Sequence, residues 1–164
     1  MAQIHLVCGP VGAGKTTFAL QLCRDEGAIH FSIDHWMTCL FTPDLTGEIE
    51  YRWAMERIER VENVIWGQVV QLITRDMGVV LDLGLLKQDH RQKFYALAQK
   101  GGFDFCLHLV EAQKDVRWQR VLDRNAAKGD TYRMDVDRGM FDFCEDLFER
   151  PFGDELNFTL IHQS

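Results

Sequence analysis

The stretch Gly9–Thr16, with the sequence GPVGAGKT, constrains the fold of this chain more than any other feature. It has the Gly-x-x-x-x-Gly-Lys-Thr spacing of a phosphate loop. The apolar run Ile4–Cys8 before it predicts a strand, and residues 16–23 after it predict a helix that buries Phe18 and Leu22. Because strand, loop and helix follow in the order that the motif requires, a nucleoside triphosphate is the first candidate ligand.

A phosphate group is bound by several backbone N–H groups that converge on it, and glycine permits this approach because it has no Cβ. Lys15 is expected to place its ammonium near the β- and γ-phosphates, and Thr16 to offer its hydroxyl to magnesium. The alternative interpretation is a glycine-rich turn with an incidental lysine. The predicted nucleotide-binding residues are Gly9, Pro10, Val11, Gly12, Ala13, Gly14, Lys15, Thr16 and Thr17.

Length and charge indicate one acidic domain over residues 1–164. The formal net charge of −7 argues against nonspecific nucleic-acid binding, which needs a broad basic surface. The first residues do not have the pattern of a signal peptide, and no apolar run is as long as a membrane span. These features predict a cytoplasmic protein without membrane attachment, and they leave the oligomeric state open.

The cysteines and histidines show no spacing typical of a metal site. The five cysteines form no Cys-x-x-Cys pair and no paired Cys/His spacing, which favours reduced thiols over disulfides or a zinc site. Cys8, Cys106 and Cys144 stand in apolar runs and are expected in the core. No metal-binding role is assigned to any histidine.

Strand and helix patterns alternate after the phosphate loop, which predicts a three-layer α/β fold with a mostly parallel five-stranded sheet and the ligand at the carboxyl ends of the strands. The later predicted strands are Ala28–Asp34, Gly78–Gly84, Phe103–Val110 and Leu156–Ile161. The later predicted helices span 51–74, 89–100, 115–125 and 137–149. The turn-rich segment 35–48 favours a loop or a short helix pair, and residues 128–131 form a second break.

The apolar residues of the last two predicted helices indicate which side of each helix faces the core. Glycine and proline residues indicate where two of the helices end. Gly101 and Gly102 are expected to end the helix over 89–100, and Pro151 the helix over 137–149. The residues expected to point inward are Val116, Val121 and Leu122 in the first of the two and Met140, Phe141, Cys144, Leu147 and Phe148 in the second.

Two aspartates at predicted strand ends are candidates for phosphoryl-transfer chemistry, which needs one acid to accept a hydroxyl proton and oxygen ligands for magnesium. Asp34 ends the second predicted strand and is the candidate general base, with a helix N-cap as its alternative role. Asp82 lies late in the third predicted strand. It is a candidate magnesium ligand or substrate ligand, and a structural hydrogen-bonding role is the alternative.

Positive charge for the migrating phosphoryl group is expected from the helix over 115–125. It carries Arg117, Arg120 and Arg124, of which the last two are one turn apart. Arg120 and Arg124 are the candidate catalytic arginines of a lid over about 115–135, and a solvated charged face is the alternative. An acceptor-binding segment is predicted over about 35–55, where the candidate substrate contacts are His35, Trp36, Arg52 and Trp53. Core packing is the alternative for the two tryptophans.

Several further motifs accompany the phosphate loop. They are Ser32-Ile-Asp34 followed by His-Trp-Met, Leu81-Asp-Leu-Gly84, Arg120-x-x-x-Arg124-Asn125, Lys128-Gly-Asp-Thr-Tyr132, Gly139-Met-Phe-Asp-Phe143 and Phe148-Glu-Arg-Pro151. Together they resemble the bacterial "predicted kinase" ATP-binding family, which is similar to chloramphenicol phosphotransferase, zeta toxin and polynucleotide-kinase domains. The resemblance implies a P-loop NTPase fold with strand order 2-3-1-4-5, Asp34 as the base, and Arg120 and Arg124 as lid arginines near the triphosphate.

The leading hypothesis is therefore an ATP- and magnesium-dependent kinase that phosphorylates a hydroxyl of a small molecule such as a sugar, a nucleoside or an antibiotic. A second hypothesis keeps the phosphoryl transfer but changes the acceptor. The acceptor is then either the 5′-hydroxyl of a nucleic acid or a sugar nucleotide. A third hypothesis is a nucleotide-binding regulator or ATPase without an acceptor. The sequence does not distinguish ATP from GTP.

Overall fold

In the computed structural model, which describes residues 2–47, 49–129, 132 and 135–164, five strands form one sheet in the order β2-β3-β1-β4-β5. The strands are β1 (Ile4–Cys8), β2 (Ile29–Ser32), β3 (Val79–Asp82), β4 (Phe105–Glu111) and β5 (Thr159–Gln163). All four strand pairings are parallel. The strand order that the resemblance implied is confirmed.

Six α-helices connect and cover the strands in the described part of the chain. They are α1 (Lys15–Glu26), α2 (Ile33–Leu40), α3 (Tyr51–Ile73), α4 (Gln88–Gly101), α5 (Lys114–Ala127) and α6 (Arg138–Leu147). Two short 3-10 helices span Thr42–Asp44 and Gly153–Phe158. The first of these follows α2, so the turn-rich segment is the short helix pair that was expected. Glu48, Asp130 and Thr131, which belong to the two predicted breaks, and the lid positions 133 and 134 lie outside the described residues.

The alternating side chains of the strands divide the core into the two interfaces of a three-layer fold. On one side of β1, Ile4, Leu6 and Cys8 pack in a cluster that includes side chains of α3 and α4. On the other side, Val7 packs with α1 residues such as Ala19. Residues of one strand alternate between faces, so both faces of the sheet are covered. Among the described helices, none combines the length and the apolar character needed to cross a bilayer.

The second strand is shorter than its apolar pattern predicted. It ends at Ser32, whose side chain accepts a hydrogen bond from the His35 N–H at 3.3 Å and caps α2. Asp34 therefore lies in the first turn of α2, and both its placement at a strand end and its role as the N-cap are wrong. The fifth strand also begins later than predicted, at Thr159, because residues 153–158 form a 3-10 helix.

The inward faces of the last two helices are only partly as predicted. Val121 and Phe141 are buried, whereas Val116, Leu122 and Met140 are exposed and their predicted burial is wrong. The reason on α5 is that Arg117, four residues before Val121, is only 4% exposed and occupies the inward face. Helix α6 ends at Leu147, before Pro151, and Gly102 caps α4 with a φ of 65° as expected.

Candidate functional site

The phosphate loop follows the carboxyl end of β1, which lies in the middle of the sheet. Two of its glycines have positive φ and touch neighbouring backbone: a Cβ at Gly9 would collide with the Val110 carbonyl, and a Cβ at Gly12 with the Arg117 carbonyl. Only glycine fits both constraints without strain. Gly14 has a φ of 90° and is the N-cap of α1, so backbone N–H groups at the start of this helix face the loop.

Lys15 is the first residue of α1 and its ammonium donates a hydrogen bond to the Pro10 carbonyl at 3.0 Å. Burial lowers the pKa of Lys15, and the carboxylates of Asp82 and Asp34 act in the opposite direction. The structure thus brings the loop lysine and both candidate aspartates within electrostatic reach of one another. The Lys15 ammonium is therefore a partly desolvated positive charge at the place where a triphosphate is expected.

Asp82 is the last residue of β3, the strand beside β1, and is only 6% exposed. Its Oδ2 accepts a hydrogen bond from the Thr16 hydroxyl at 2.8 Å and lies 3.6 Å from Nε2 of His30. A threonine hydroxyl and a carboxylate are oxygen donors of the kind magnesium prefers. The residues present therefore fit a magnesium ion next to the phosphate loop.

Asp34 lies beyond the end of β2, on the far side of β3 from the loop. Ser32 is paired with Asp82 in the parallel register, so Asp34 follows two residues after that pair. Its side chain is exposed in the first turn of α2. Asp34 is consequently at the same edge of the sheet as Asp82 and is exposed to solvent.

The three arginines of α5 have different surroundings. Arg120 donates to the Ser164 hydroxyl at 2.9 Å, and that hydroxyl donates to the Ala13 carbonyl of the loop at 2.7 Å. Nε of Arg124 is buried and has no hydrogen-bond partner among the described residues. Such an atom is costly to leave unpaired, which is consistent with an anionic ligand.

Arg117, in contrast to Arg124, has hydrogen-bond partners for every nitrogen of its guanidinium. Its guanidinium donates to both carboxylate oxygens of Glu145, at 2.6 and 2.8 Å, and to the carbonyls of Val11 and Ala112, at 3.1 and 2.9 Å. It joins the phosphate loop to α5 and α6. Sequence reasoning recognised Arg117 as charged but had no signal for this role, because its partner on α6 is 28 residues away.

The four predicted acceptor residues have different surroundings. His35 is exposed and its ring contacts Cys39, whereas Trp36 packs against the main core and lies 6.4 Å from the Phe31 ring. Trp53 lies under the guanidinium of Arg57, which is 4.0 Å from its ring centroid. This packing agrees with the alternative interpretation of the two tryptophans, and their role as substrate contacts stays a prediction.

Arg52 lines a surface pocket that lies between α3 and α4. Its Nε donates to Glu56 at 3.0 Å, and the same pocket is lined by Glu62, His90 and Lys93. Glu62 is buried and binds both His90 and Lys93. Burial alone would raise the pKa of Glu62, but hydrogen bonds and charge from these two partners lower it below its ordinary value.

One group near the site was expected only as a core residue. Cys144 on α6 is half-buried, and burial raises the pKa of its thiol while the charges of Lys15 and Asp34 act on it in opposite directions. Helix α6 therefore lies beside the candidate site. An apolar helix face in the sequence predicts burial but not which edge of the sheet the helix covers.

Comparisons with solved structures give the same fold at low sequence identity. A protein of Chloroflexus aurantiacus that bears a provisional kinase name is 16% identical with a TM-score of 0.74, over 99% of this chain and 88% of that chain. A gluconokinase from Sinorhizobium meliloti is 14% identical with a TM-score of 0.67, over 99% and 82% of the two chains. The APS kinase CysC of Mycobacterium tuberculosis, in complex with AMPPNP and APS, is 16% identical with a TM-score of 0.59, over 98% and 88%.

Sequence comparison gives the family. No protein with a curated function matches the chain. The family model described as AAA domain, AAA_33, matches residues 4–151, from β1 to the proline after α6. The match includes the phosphate loop, both candidate aspartates and the α5 arginines. With its parallel sheet in the order 2-3-1-4-5 and its phosphate loop after β1, this chain belongs to the AAA_33 family of AAA domains and has the P-loop NTPase fold.

Proposed function

We propose that this protein is a kinase that uses ATP and magnesium to phosphorylate a hydroxyl group of a small molecule. The observation that carries the proposal is the arrangement of Lys15, Asp82 and Asp34 at one edge of the sheet, with the Thr16 hydroxyl bonded to Asp82 at 2.8 Å. A nucleotide-binding protein without phosphoryl transfer needs the loop and a magnesium ligand. It has no need of a second carboxylate that is open to solvent beside them.

The chain offers binding groups for both cofactors. The loop backbone from Gly9 to Gly14 and the Lys15 ammonium would hold the phosphates, and Thr16 and Asp82 would hold magnesium. When bound, ATP supplies the γ-phosphoryl group and magnesium offsets part of its negative charge. Arg124 brings a buried guanidinium Nε that has no partner among the described residues, which suits a phosphate oxygen.

Asp34 acts on the acceptor. Its carboxylate takes the proton of the acceptor hydroxyl, so that the oxygen forms a bond to the γ-phosphorus as the bond between that phosphorus and the β–γ bridging oxygen breaks. The products are the phosphorylated acceptor and ADP. Arg120 and Arg124 stabilise the charge that develops on the migrating group.

The acceptor is proposed to be a small molecule. The net charge of −7 disfavours a nucleic-acid backbone, and the gluconokinase and APS kinase with this fold are named as small-molecule kinases. Arg52 and His35 remain candidate acceptor contacts because both are exposed. A cytoplasmic location, where ATP is abundant, belongs to the same proposal.

The proposal is tested by a screen of hydroxyl-bearing metabolites and antibiotics for acceptor-stimulated ADP formation. Asp34→Asn is expected to lower the stimulated rate about 10²–10⁴-fold and to leave the affinity for ATP unchanged. Asp25→Asn, which makes the same change at an exposed carboxylate of α1 bonded to Gln21, is the matched control and is expected to be fully active.

Other outcomes separate the alternatives. Full activity of Asp34→Asn contradicts the base assignment. Steady ATP hydrolysis that no acceptor stimulates contradicts the kinase and favours a regulator. Stimulation by 5′-hydroxyl oligonucleotides, with binding that weakens steeply as salt rises, contradicts the small-molecule acceptor.

A further inference from the structure

A cluster of imidazole and thiol groups lies on the α1 side of the sheet, apart from the phosphate loop. His5 on β1 is paired in register with Cys106 on β4, and His108 follows two residues later on the same face of β4. His162 on β5 continues the row, and the Phe18 ring of α1 covers it with centroid distances of 5.2 Å to His108 and 4.4 Å to His162. Three strands thus bring four such groups together.

The three donor atoms of His5, Cys106 and His108 form a compact triangle. Nδ1 of His5 lies 3.0 Å from Nε2 of His108, and Sγ of Cys106 lies 3.3 and 3.1 Å from these nitrogens. A tetrahedral zinc ion, with bonds of about 2.0–2.1 Å to nitrogen and 2.3 Å to sulfur, separates its ligand atoms by about 3.3–3.6 Å. The donors therefore need to move apart by only a few tenths of an ångström.

We propose that His5, Cys106 and His108 bind a zinc ion through Nδ1, Sγ and Nε2. Two imidazoles and a thiolate are ligands that zinc binds strongly, whereas magnesium and calcium require oxygen. The site goes beyond the proposed kinase function and uses none of its residues. His5 and Cys106 are the second residues of their strands, toward the opposite end of the sheet from the loop.

His162 supports the arrangement from outside the triangle. Its Nε2 lies 3.0 Å from Nδ1 of His108. When Nε2 of His108 binds the metal, Nδ1 carries the proton and donates a hydrogen bond to Nε2 of His162. This bond fixes the tautomer and the orientation of the His108 ring. Partners of this kind typically raise metal affinity about 10–100-fold.

Burial shifts the pKa of each of the three ligands. It lowers the pKa of His5 and, together with the neighbouring His5 and His162 rings, lowers that of His108 to about 4. It raises the pKa of the Cys106 thiol to about 11, which opposes formation of the thiolate. Zinc must displace this thiol proton, so binding releases one proton per ion.

The site has an open side. His5 lines a surface pocket together with Glu26 and Gly78, and the Glu26 charge acts on both His5 and Cys106. This pocket reaches His5 from the surface and provides an entry path for the ion and for a water molecule as the fourth ligand. Because the three ligands join β1 to β4, zinc that binds only the folded state stabilises it by mass action.

The experiment uses the chain of residues 1–164, freed of metal by a chelator and titrated with Co²⁺, which reports thiolate ligation by a charge-transfer band in the near ultraviolet. One equivalent of Co²⁺ is expected to produce this band, and one equivalent of Zn²⁺ to abolish it and release one proton. Zn²⁺ is also expected to raise the melting temperature.

Cys106→Ser is expected to lose the band, the shift in melting temperature and at least 100-fold in Zn²⁺ affinity. Cys23→Ser, the same change at a half-buried thiol of α1, is the matched control and is expected to behave as wild type. His162→Gln is expected to bind Zn²⁺ about 10–100-fold more weakly. If Cys106→Ser does not fold, His5→Asn takes its place with the same expected loss of affinity.

Absence of the Co²⁺ band in the wild type at millimolar metal would overturn the proposal and identify the cluster as a hydrogen-bonded part of the core. Persistence of the band in Cys106→Ser would also overturn it.

Discussion

Two clusters of side chains in this molecule each contain an arginine, and they differ in how completely the nitrogens of that arginine are paired. In the first, Arg91 is 0% exposed and donates to both oxygens of Glu155, at 2.7 and 3.0 Å, while Tyr95 donates to the same carboxylate at 2.9 Å. In the second, at the phosphate-loop edge, Nε of Arg124 is buried and has no hydrogen-bond partner in the described part of the chain.

This difference in pairing distinguishes an arginine that stabilises the fold from one that is a candidate for ligand binding. A buried ion pair whose donors and acceptors are all matched fixes the positions of elements and has no remaining capacity for a ligand. The Arg91 guanidinium uses its further hydrogens on the carbonyls of Leu85 and Leu86, in the segment between β3 and α4. At the loop edge, the buried Nε of Arg124 keeps a hydrogen without an acceptor among the described residues, and the proposed function assigns this hydrogen to a phosphate oxygen. The four predictions that follow test this division, from the largest expected effect to the smallest.

Arg124→Ala is expected to lower the acceptor-stimulated rate of ADP formation by about 10³-fold, because an arginine on the migrating phosphoryl group supplies about that factor or more. The free energy of unfolding, measured with urea, is expected to change by less than about 0.5 kcal/mol. Arg60→Ala, at an exposed arginine of α3, is the control for both measurements. A large loss of stability with normal turnover would place Arg124 with Arg91 as a structural residue.

Arg91→Met is expected to destabilise the protein by about 3–5 kcal/mol, because it leaves the Glu155 carboxylate buried without its cation. The double variant Arg91→Met with Glu155→Gln is expected to be more stable than this single variant, since a neutral amide costs less to bury and still accepts from Tyr95. Urea unfolding of the three proteins measures both differences. A double variant no more stable than the single one would show that the buried charge is not the cause.

Arg117 is the intermediate case, fully paired and yet in contact with the phosphate loop at Val11. Arg117→Ala is expected to cost about 2–3 kcal/mol of unfolding free energy, because it removes charged hydrogen bonds to Glu145. It is also expected to weaken ATP binding in calorimetric titration, because the Val11 carbonyl loses its donor. Arg117→Lys, which keeps the charge without the forked geometry, is expected to lie between wild type and alanine. Loss of stability with unchanged ATP affinity would make Arg117 purely structural.

The smallest expected effect is on the pH dependence of stability. Burial by itself would raise the pKa of Glu155, but hydrogen bonds from Arg91 and Tyr95 lower it below the ordinary value of 4.5. A carboxyl whose folded pKa is lowered contributes stability that is complete above its unfolded pKa and disappears as the pH falls through the folded value. The free energy of unfolding should therefore fall below about pH 4.5. Glu155→Gln should show a shallower fall, and an identical profile would contradict this account.

Local sequence patterns predicted those parts of the fold that depend on local physics. Helix α3 was predicted as 51–74 and observed as Tyr51–Ile73, because its apolar residues repeat at helical spacing over many turns. The phosphate loop was predicted because its glycines, lysine and threonine stand at fixed spacing between a strand and a helix. Asp82 was predicted late in β3 and stands at its last residue.

The errors occur where a residue's state depends on distant partners. Whether Ser32 extends β2 or caps α2 depends on where β3 stops offering backbone partners, and the apolar pattern around it does not encode that. Val116 and Arg117 are adjacent on α5, and the pattern favoured burial of the valine. The arginine is buried because each of its three guanidinium nitrogens donates a hydrogen bond to Glu145 or to a backbone carbonyl.

The cysteine and histidine cluster shows the same limit. Cys106 and His108 stand two residues apart, which on a strand places them on one face, and this spacing was the available signal. The third member, His5, is 103 residues away from His108, and only the pairing of β1 with β4 brings it there. A search for helical or loop-type metal spacings does not detect ligands that are joined across a parallel sheet.

By itself, the sequence determined that a phosphate loop follows the first strand and that strands and helices alternate after it, because both are set by residue types a few positions apart. The tertiary structure decided which charged groups are matched and which remain open. Arginine has the same chemistry at positions 91, 117 and 124, and its partners come from segments that are brought close only by folding. A matched guanidinium stabilises the fold, and an unmatched one is available to a ligand.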